Sequence, residues 1–288
     1  MRARAPASSA NLGPGFDALA IALNCYVQVD VEPAASLIVR SAGHGADLQG
    51  DATHLAARVV SHVLGHDRFA VTVHSQIPVS RGLGSSAALA AAAAAAAGAE
   101  DPLAIAAAFD GHPENAAASV MGGLVAAAMV DGHVQAAHLS LSEELAFVAI
   151  VPDRSLSTAE ARSVLIDPVP RADATFNLGR MGLLVAGLAE PSVLSWAATG
   201  DRLHQQARTA LFPESPALLA ALLEAGALAS CWSGAGPTLL GITTVTTLAD
   251  VAQWTEGLLI DIGFAAQVLQ LQADRQGLVF GDAAEMPT

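Results

Sequence analysis

The stretch that decides the fold is "PVSRGLGSSAALAAAAAAAAGA", residues 78–99. It follows a run typical of a β-strand, residues 69–77, and sets Gly82, Gly84 and two serines directly before a strong helix former. Such a loop leaves unpaired backbone N–H groups at a helix N-terminus, where glycines allow close approach and the helix dipole favours anions. The same letters are also typical of a plain glycine turn before a buried helix. The loop lacks the Gly-Lys-Ser/Thr of a Walker A sequence and the third glycine of a dinucleotide fingerprint, so alone it leaves both interpretations open.

The composition limits which partners the chain can have. Its 288 residues carry a formal net charge of −14, which argues against nucleic acid and gives no sign of a basic membrane-binding face. The hydrophobic share is 53%, but no uninterrupted apolar run reaches the length of a membrane span, and no signal peptide is recognisable. We therefore expect a cytoplasmic protein. The net charge does not exclude a small phosphorylated ligand, because one local cradle of N–H groups can hold it. Cys25 and Cys231 are too few for a disulfide framework and are expected to be buried.

Strand-like and helix-like stretches alternate along the chain. Short β-branched runs predict strands at residues 25–32, 36–41, 69–77 and 145–153. Apolar spacing predicts a helix within residues 51–65 that ends at a glycine, and Ser157 followed by Glu160 predicts a capping box. No linker or repeat interrupts the pattern. We expect an α+β protein with two halves, residues 1–140 and 141–288, joined directly.

Three motifs in order give a family resemblance that covers nearly the whole chain. "APASSANLGPGFDALAIAL" (5–23), "PVSRGLGSSAA" (78–88) and "SGAGPTLLGI" (233–242) resemble the motifs of the GHMP kinases. Within that family, "GHPENAAASVMGGL" (111–124) and "STAEAR" (157–162) are similar to the homoserine kinases. The resemblance implies the two-domain GHMP kinase fold, with a ribosomal protein S5 domain 2-like N-terminal domain that binds ATP and a ferredoxin-like α+β C-terminal domain. It also implies ATP-dependent phosphorylation of the homoserine hydroxyl, on the route to threonine.

The same resemblance assigns residues to ATP and Mg²⁺. The loop around the phosphates comprises Pro78, Arg81, Gly82, Leu83, Gly84, Ser85, Ser86 and Ala87. The Ser86 hydroxyl and a carboxylate, here Asp110, are expected to ligate Mg²⁺, a hard cation that prefers oxygen. The family usually has glutamate at the position of Asp110, and asparagine at an adenine contact where this chain has His54. These two departures favour an alternative, a nucleotide-binding relative without turnover.

The amino-acid end of the substrate needs groups of both charges, since homoserine carries an ammonium and a carboxylate. By resemblance, Asn11 and Asp17 contact the amino acid, with Asp17 at the ammonium, while Arg162 and Arg208 clamp the carboxylate with Thr158 nearby. The residues implied to act in phosphoryl transfer are Asn11, His112, Asn115 and Arg162. All 13 basic residues are arginine, so a lysine-assisted base, as some GHMP kinases use, is excluded.

Two further expectations come from the family. The family is often dimeric, and the apolar surplus suits a homodimer interface. A kinase for another small alcohol, such as mevalonate, stays open as an alternative. Mevalonate has no ammonium for Asp17 to bind, which argues against it.

Overall fold

A computed structural model describes residues 1–284 and contains two β-sheets flanked by helices. The strands are β1 (Arg2–Asn11), β2 (Gly15–Pro33), β3 (Ile38–Gly43), β4 (Phe69–Ser75), β5 (Leu124–Val130), β6 (His133–Leu139), β7 (Leu145–Pro152), β8 (Ala229–Trp232), β9 (Leu239–Thr244), β10 (Ala266–Leu271) and β11 (Val279–Phe280). The α-helices are α1 (Leu55–Leu64), α2 (Ser85–Ala96), α3 (Pro102–Asp110), α4 (Pro113–Met121), α5 (Thr158–Ser163), α6 (Arg171–Ala189), α7 (Gln205–Arg208), α8 (Ser215–Glu224) and α9 (Leu248–Asp261). Within residues 1–284, no helix is long and apolar enough to cross a membrane.

The first sheet is built around the long strand β2. Its order is β11-β1-β2-β4-β3, with β5 also paired to β2 and β6 paired to β5. The first part of β2 pairs with β5 at residues 19–21, and its second part pairs with β4 at residues 27–33. The strand expected at residues 25–32 was therefore only the second half of β2. Its first half, rich in alanine and poor in β-branched residues, has weak strand propensity and is held by pairing on both sides.

The alanine-rich helix α2 lies at the centre of the first layer. It contacts β1 and β2 on the sheet and α1, α3 and α4 beside it. Because an alanine side chain ends at Cβ, neighbouring elements can approach the helix from several directions. The buried alanines of α2 are Ala87, Ala88, Ala90, Ala91, Ala92, Ala93, Ala94 and Ala96. The helix predicted from the opening stretch is confirmed, and its composition is explained by burial all round.

The second sheet has the order β10-β7-β9-β8 and is antiparallel throughout. Every residue of β7 is buried, because the strand is covered on both faces. Phe147 and Ala149 share a core with Leu184 of α6, whereas Val148 and Ile150 share another with Leu222 of α8. This two-sided burial accounts for the continuous apolar run in the sequence.

A glycine turn between β8 and β9, residues 233–237, makes hydrogen bonds from the second sheet to the first sheet and to the loop before α2. The Gly234 N–H donates to the Ala10 carbonyl of β1 over 3.0 Å. The Ser233 hydroxyl donates to the Gly82 carbonyl over 2.7 Å. These contacts bring the three sequence motifs together at one place.

Candidate active site

A cavity of about 330 Å³ opens where the β1–β2 turn, the loop before α2, the start of α4 and the glycine turn meet. Most of the residues assigned from the sequence line it. They are Asn11, Asp17, His54, Gly82, Gly84, Ser85, Ser86, Asp110, His112, Asn115, Thr158, Arg162 and Arg208. Residues distant in sequence thus surround one space.

Four residues assigned to the phosphate loop do not line this cavity: Pro78, Arg81, Leu83 and Ala87. Leu83 and Ala87 are buried. The Arg81 guanidinium donates to three backbone carbonyls, those of Val79 at 3.2 Å, Pro152 at 2.9 Å and Asp153 at 3.0 Å. Arg81 therefore connects the loop to the end of β7, and its guanidinium is engaged by backbone carbonyls of the protein itself.

Glycine is required in the loop before α2 for two reasons. Gly82 has φ +77° and Gly84 has φ +62°, a region that residues with a side chain rarely adopt. A Cβ at Gly82 would also lie 2.3 Å from the Ser233 carbonyl oxygen. The N-cap position of α2 is Gly84, which has no side chain to cap the helix. The first N–H groups of α2 consequently remain available to an anion in the cavity.

An acidic and a hydroxyl group meet beside this helix start. The Ser86 hydroxyl donates to a carboxylate oxygen of Asp110, the last residue of α3. His112 Nδ1 lies 3.3 Å from the other oxygen of Asp110, and this hydrogen bond raises the pKa of His112. Ser86 and Asp110 offer hard oxygen ligands, so the donor set suits Mg²⁺. Among residues 1–284 no cluster of three or more His, Cys, Asp or Glu side chains is positioned to hold a metal.

Opposite charges face each other at the other end of the cavity. Arg162 of α5 donates two hydrogen bonds to Asp17, of 3.0 and 2.8 Å, and both side chains are about two-fifths exposed, at 41% and 39%. The predicted capping box starts α5: Ser157 accepts from the Glu160 N–H, and Glu160 accepts from the Ser157 N–H. It fixes the helix turn that carries Thr158 and Arg162.

A second arginine, Arg208, is buried beside this pair. Only 2% of it is exposed, and burial lowers its pKa to about 10. Its Nη1 donates to the Gly234 carbonyl over 2.9 Å, and Asn11 Nδ2 donates to the same carbonyl over 2.8 Å. Asn11 also accepts from the Asp17 N–H. One carbonyl of the glycine turn therefore sets the buried arginine against the β1–β2 turn.

The start of α4 contributes a residue that the sequence analysis did not single out. Glu114 is 1% exposed, and burial raises the pKa of this carboxyl to about 7. Its Oε1 accepts from Asn115 Nδ2 over 3.1 Å, whereas its buried Oε2 has no hydrogen-bond partner among residues 1–284. Asn115 also accepts from the Ser8 hydroxyl over 2.8 Å. The signal was present in "GHPEN", where an acid stands in the first turn of a helix that has no other charged residue.

His54 also lines the cavity. It caps α1, where its Nδ1 accepts from the Ala56 N–H over 3.2 Å, and its Nε2 lies 3.4 Å from the Ser41 hydroxyl. Burial lowers its pKa. Apolar side chains of Val27, Leu55 and Val73 line the same cavity. Beside His54 the cavity wall is therefore largely apolar.

Comparison with known proteins gives consistent matches along the chain. The family model for the GHMP kinases N terminal domain matches residues 52–123, and the model for GHMP kinases C terminal matches residues 183–253. The chain is 41% identical over 273 residues to a homoserine kinase of Rhodococcus opacus, with 84% of this chain and 87% of the relative covered. It is 36% identical over 292 residues to a homoserine kinase of Desulfitobacterium hafniense, with 96% and 98% covered.

Solved structures agree with this assignment. A homoserine kinase from Cytophaga hutchinsonii superposes with a TM-score of 0.84 at 25% identity, covering 97% of this chain and 96% of that one. The L. major mevalonate kinase superposes with a TM-score of 0.72 at 13% identity over 96% of each chain, which speaks for a shared fold. The predicted two-domain α+β fold and the predicted family are both confirmed. The chain belongs to the homoserine kinases of the GHMP kinase family.

Proposed function

We propose that this protein transfers the γ-phosphoryl group of ATP to the hydroxyl of L-homoserine, producing O-phospho-L-homoserine for threonine synthesis. The observation that carries the proposal is a single cavity that joins a glycine loop at a helix N-terminus to a cluster of opposite charges. The first feature suits phosphates and the second suits a zwitterionic amino acid. The names of the relatives support the same reaction.

The amino-acid site is proposed to exchange partners with the substrate. In the free protein Asp17 and Arg162 neutralise each other. On binding, the substrate ammonium takes Asp17, and its carboxylate takes Arg162 and Arg208, while Asn11 and Thr158 contact the remaining polar atoms. Each protein charge keeps an opposite partner through this exchange. A ligand that lacks either charge would leave one protein charge without a partner.

The nucleotide is proposed to lie along the rest of the cavity. Gly82, Gly84, Ser85 and Ser86 would hold the phosphates through backbone N–H and hydroxyl groups, with the adenine towards His54. The loop is supported on its side away from the cavity by four residues: Pro78, Arg81, Leu83 and Ala87.

We propose that Ser86 and Asp110 hold the Mg²⁺ that accompanies ATP. When bound, the ion neutralises negative charge on the phosphates. This chain's own residues do the rest: Asn115 and His112 line the cavity between the phosphate loop and Asp17, where they can orient the reacting groups. As the homoserine oxygen bonds to the γ-phosphorus, the bond from phosphorus to ADP breaks and the hydroxyl proton is released. Positioning and charge stabilisation are the main contributions that such a transfer needs from a protein.

The organisation of the chain supports a further set of proposals. We propose two domains, residues 1–140 and 141–288, because β1 to β6 belong to one sheet and β7 to β10 to the other. The short strand β11 lies in the second of these ranges but pairs with β1, so the end of the described chain returns to the first sheet. We also propose that the protein is cytoplasmic and forms a homodimer. The reason for the dimer is that α6 and the segment after it expose large apolar side chains: Leu178, Leu183, Val193 and Trp196. Light scattering of the purified protein measures its molar mass and so distinguishes a dimer from a monomer.

A coupled assay of ADP release with Mg·ATP tests the proposed reaction. L-homoserine, mevalonate, galactose and no acceptor are compared on the same preparation. Turnover with homoserine alone supports the proposal. Turnover with another alcohol, or ATP binding without turnover on any acceptor, would replace it with one of the two alternatives.

A further inference from the structure

A buried histidine outside the assigned site contacts Arg208 directly. His204 is fully buried, at 0% exposure, and stands one helix turn before Arg208. Its Nδ1 lies 2.9 Å from Arg208 Nη1, and its Nε2 lies 2.8 Å from the Gly13 carbonyl oxygen. The ring therefore bridges the arginine and the β1–β2 turn.

The chemistry of these partners fixes one tautomer of the ring. A guanidinium only donates hydrogen bonds, so Nδ1 must accept. A carbonyl only accepts, so Nε2 must carry the hydrogen. The ring is neutral in this arrangement, and burial lowers the pKa of His204 to about 4. The charged groups that face it are Asp201, Arg208 and Asp17, of which Asp201 favours the protonated ring and Arg208 opposes it.

The bridge determines which part of Arg208 is left for a ligand. Its Nε donates to the Ala161 carbonyl over 3.3 Å, and its Nη1 is shared between His204 and Gly234. Within residues 1–284, Nη2 of Arg208 has no hydrogen-bond partner, and the residue lines the cavity. The guanidinium is thus oriented with one edge held by the protein and its remaining nitrogen free for a carboxylate.

The other end of the bridge is equally constrained. Gly13 has φ +83°, and a Cβ there would lie 2.3 Å from the Thr199 carbonyl oxygen. The Phe16 ring stacks on His204 with a centroid distance of 5.0 Å. The turn that holds Asn11 and Asp17 is therefore packed against the imidazole, and a change in the ring would be transmitted to both halves of the amino-acid site.

We propose that His204 is a positioning residue for homoserine: its neutral imidazole, accepting from Arg208 and donating to Gly13, sets the spacing between the carboxylate-binding arginine and the turn that carries Asp17. This inference rests on the proposed function, since it concerns the same amino-acid site. It predicts that loss of the acceptor at Nδ1 raises the homoserine KM more than loss of the donor at Nε2 does.

Two substitutions separate the two hydrogen bonds. His204→Asn keeps an acceptor near the position of Nδ1 and loses the donor to Gly13, whereas His204→Gln keeps a donor near Nε2 and loses the acceptor for Arg208. We expect His204→Gln to raise the homoserine KM by about 10-fold or more, the effect of losing a hydrogen bond to a charged group. We expect His204→Asn to raise it several-fold less, with the ATP KM unchanged in both. Equal effects of both variants, effects on ATP as large as on homoserine, or no effect at all would overturn the proposal.

A measurement on the unmodified protein tests the bridge without activity. In protein labelled with ¹⁵N at its nine histidines, the His204 signals are those lost in either variant. We expect a neutral ring with the hydrogen on Nε2 that does not titrate between about pH 6 and pH 8. A hydrogen on Nδ1, or titration in this range, would overturn the proposal even if homoserine is the substrate. If the spectrum is as expected but homoserine is not phosphorylated, the proposed function fails and the bridge stands.

Discussion

Replacing Arg162 by alanine should separate substrate binding from stability. In the free protein Arg162 pairs with Asp17, but both side chains are about two-fifths exposed. Such a pair contributes about 0–1 kcal/mol to folding, because water screens it. Against a bound carboxylate the same guanidinium makes charge-assisted hydrogen bonds, for which about 1.5–3 kcal/mol is typical. Partial exposure favours the lower end of that range, which corresponds to a rise of about 10- to 30-fold in the homoserine KM.

The assay compares Arg162→Ala with a matched control, Arg154→Ala. Arg154 also makes a partly exposed ion pair, with Glu214 at 2.9 Å, but does not line the cavity. We expect both variants to keep Tm within about 4 °C of the parent, and only Arg162→Ala to raise the homoserine KM, with the ATP KM unchanged. A homoserine KM within about twofold of the parent in Arg162→Ala, with full folding, would refute the reasoning because the loss of even one such bond exceeds that.

Three further changes test the loop, the metal ligands and the buried acid. Gly82→Ala should destabilise the protein by about 1–3 kcal/mol more than Gly65→Ala, because both glycines have positive φ but only at Gly82 does the added Cβ meet backbone atoms. Equal Tm losses in the two variants would contradict this. Asp110→Asn should raise the Mg²⁺ concentration needed for half-maximal activity about tenfold or more, and Asp110→Glu should largely restore it; a Mg²⁺ titration that neither variant shifts would place the ion elsewhere. Because burial raises the pKa of Glu114 from 4.5 to about 7, the folded protein holds this proton more tightly than the unfolded chain, so stability falls as pH rises through that window. Glu114→Gln should remove up to about 3 kcal/mol of the decrease in unfolding free energy between pH 5 and pH 8. Denaturant unfolding at the two pH values measures this decrease, and the same decrease in the variant as in the parent would contradict the prediction.

The sequence was most informative where local pattern and tertiary structure agree. Helix α2, the loop before it and the capping box at Ser157 were all predicted, because each depends on residues close together in the chain. The first half of β2 was missed, because its alanine-rich run becomes a strand only through partners on both sides. Local propensity carries no information about those partners.

The candidate site shows the same division. Motif resemblance selected many of the residues that line the cavity, but it could not tell that the Arg81 guanidinium donates to backbone carbonyls. Nor could it tell that, within residues 1–284, one nitrogen of Arg208 has no hydrogen-bond partner. His204 and Glu114 were also missed as contributors. Their importance comes from burial and from hydrogen bonds to residues far away in sequence, which spacing along the chain does not reveal.

The glycine turn between β8 and β9 has a consequence for synthesis of the protein. Ribosomes release the chain from its N-terminus, so the loop at Gly82 and the turn at Asn11 exist long before Ser233 and Gly234 are made. Until then, Asn11 and Arg208 lack the carbonyl to which they donate hydrogen bonds. The Gly82 carbonyl likewise lacks the hydroxyl from which it accepts. A nascent chain can form early helices and strands of its first sheet, but the cavity reaches its final shape only after residue 234 has emerged.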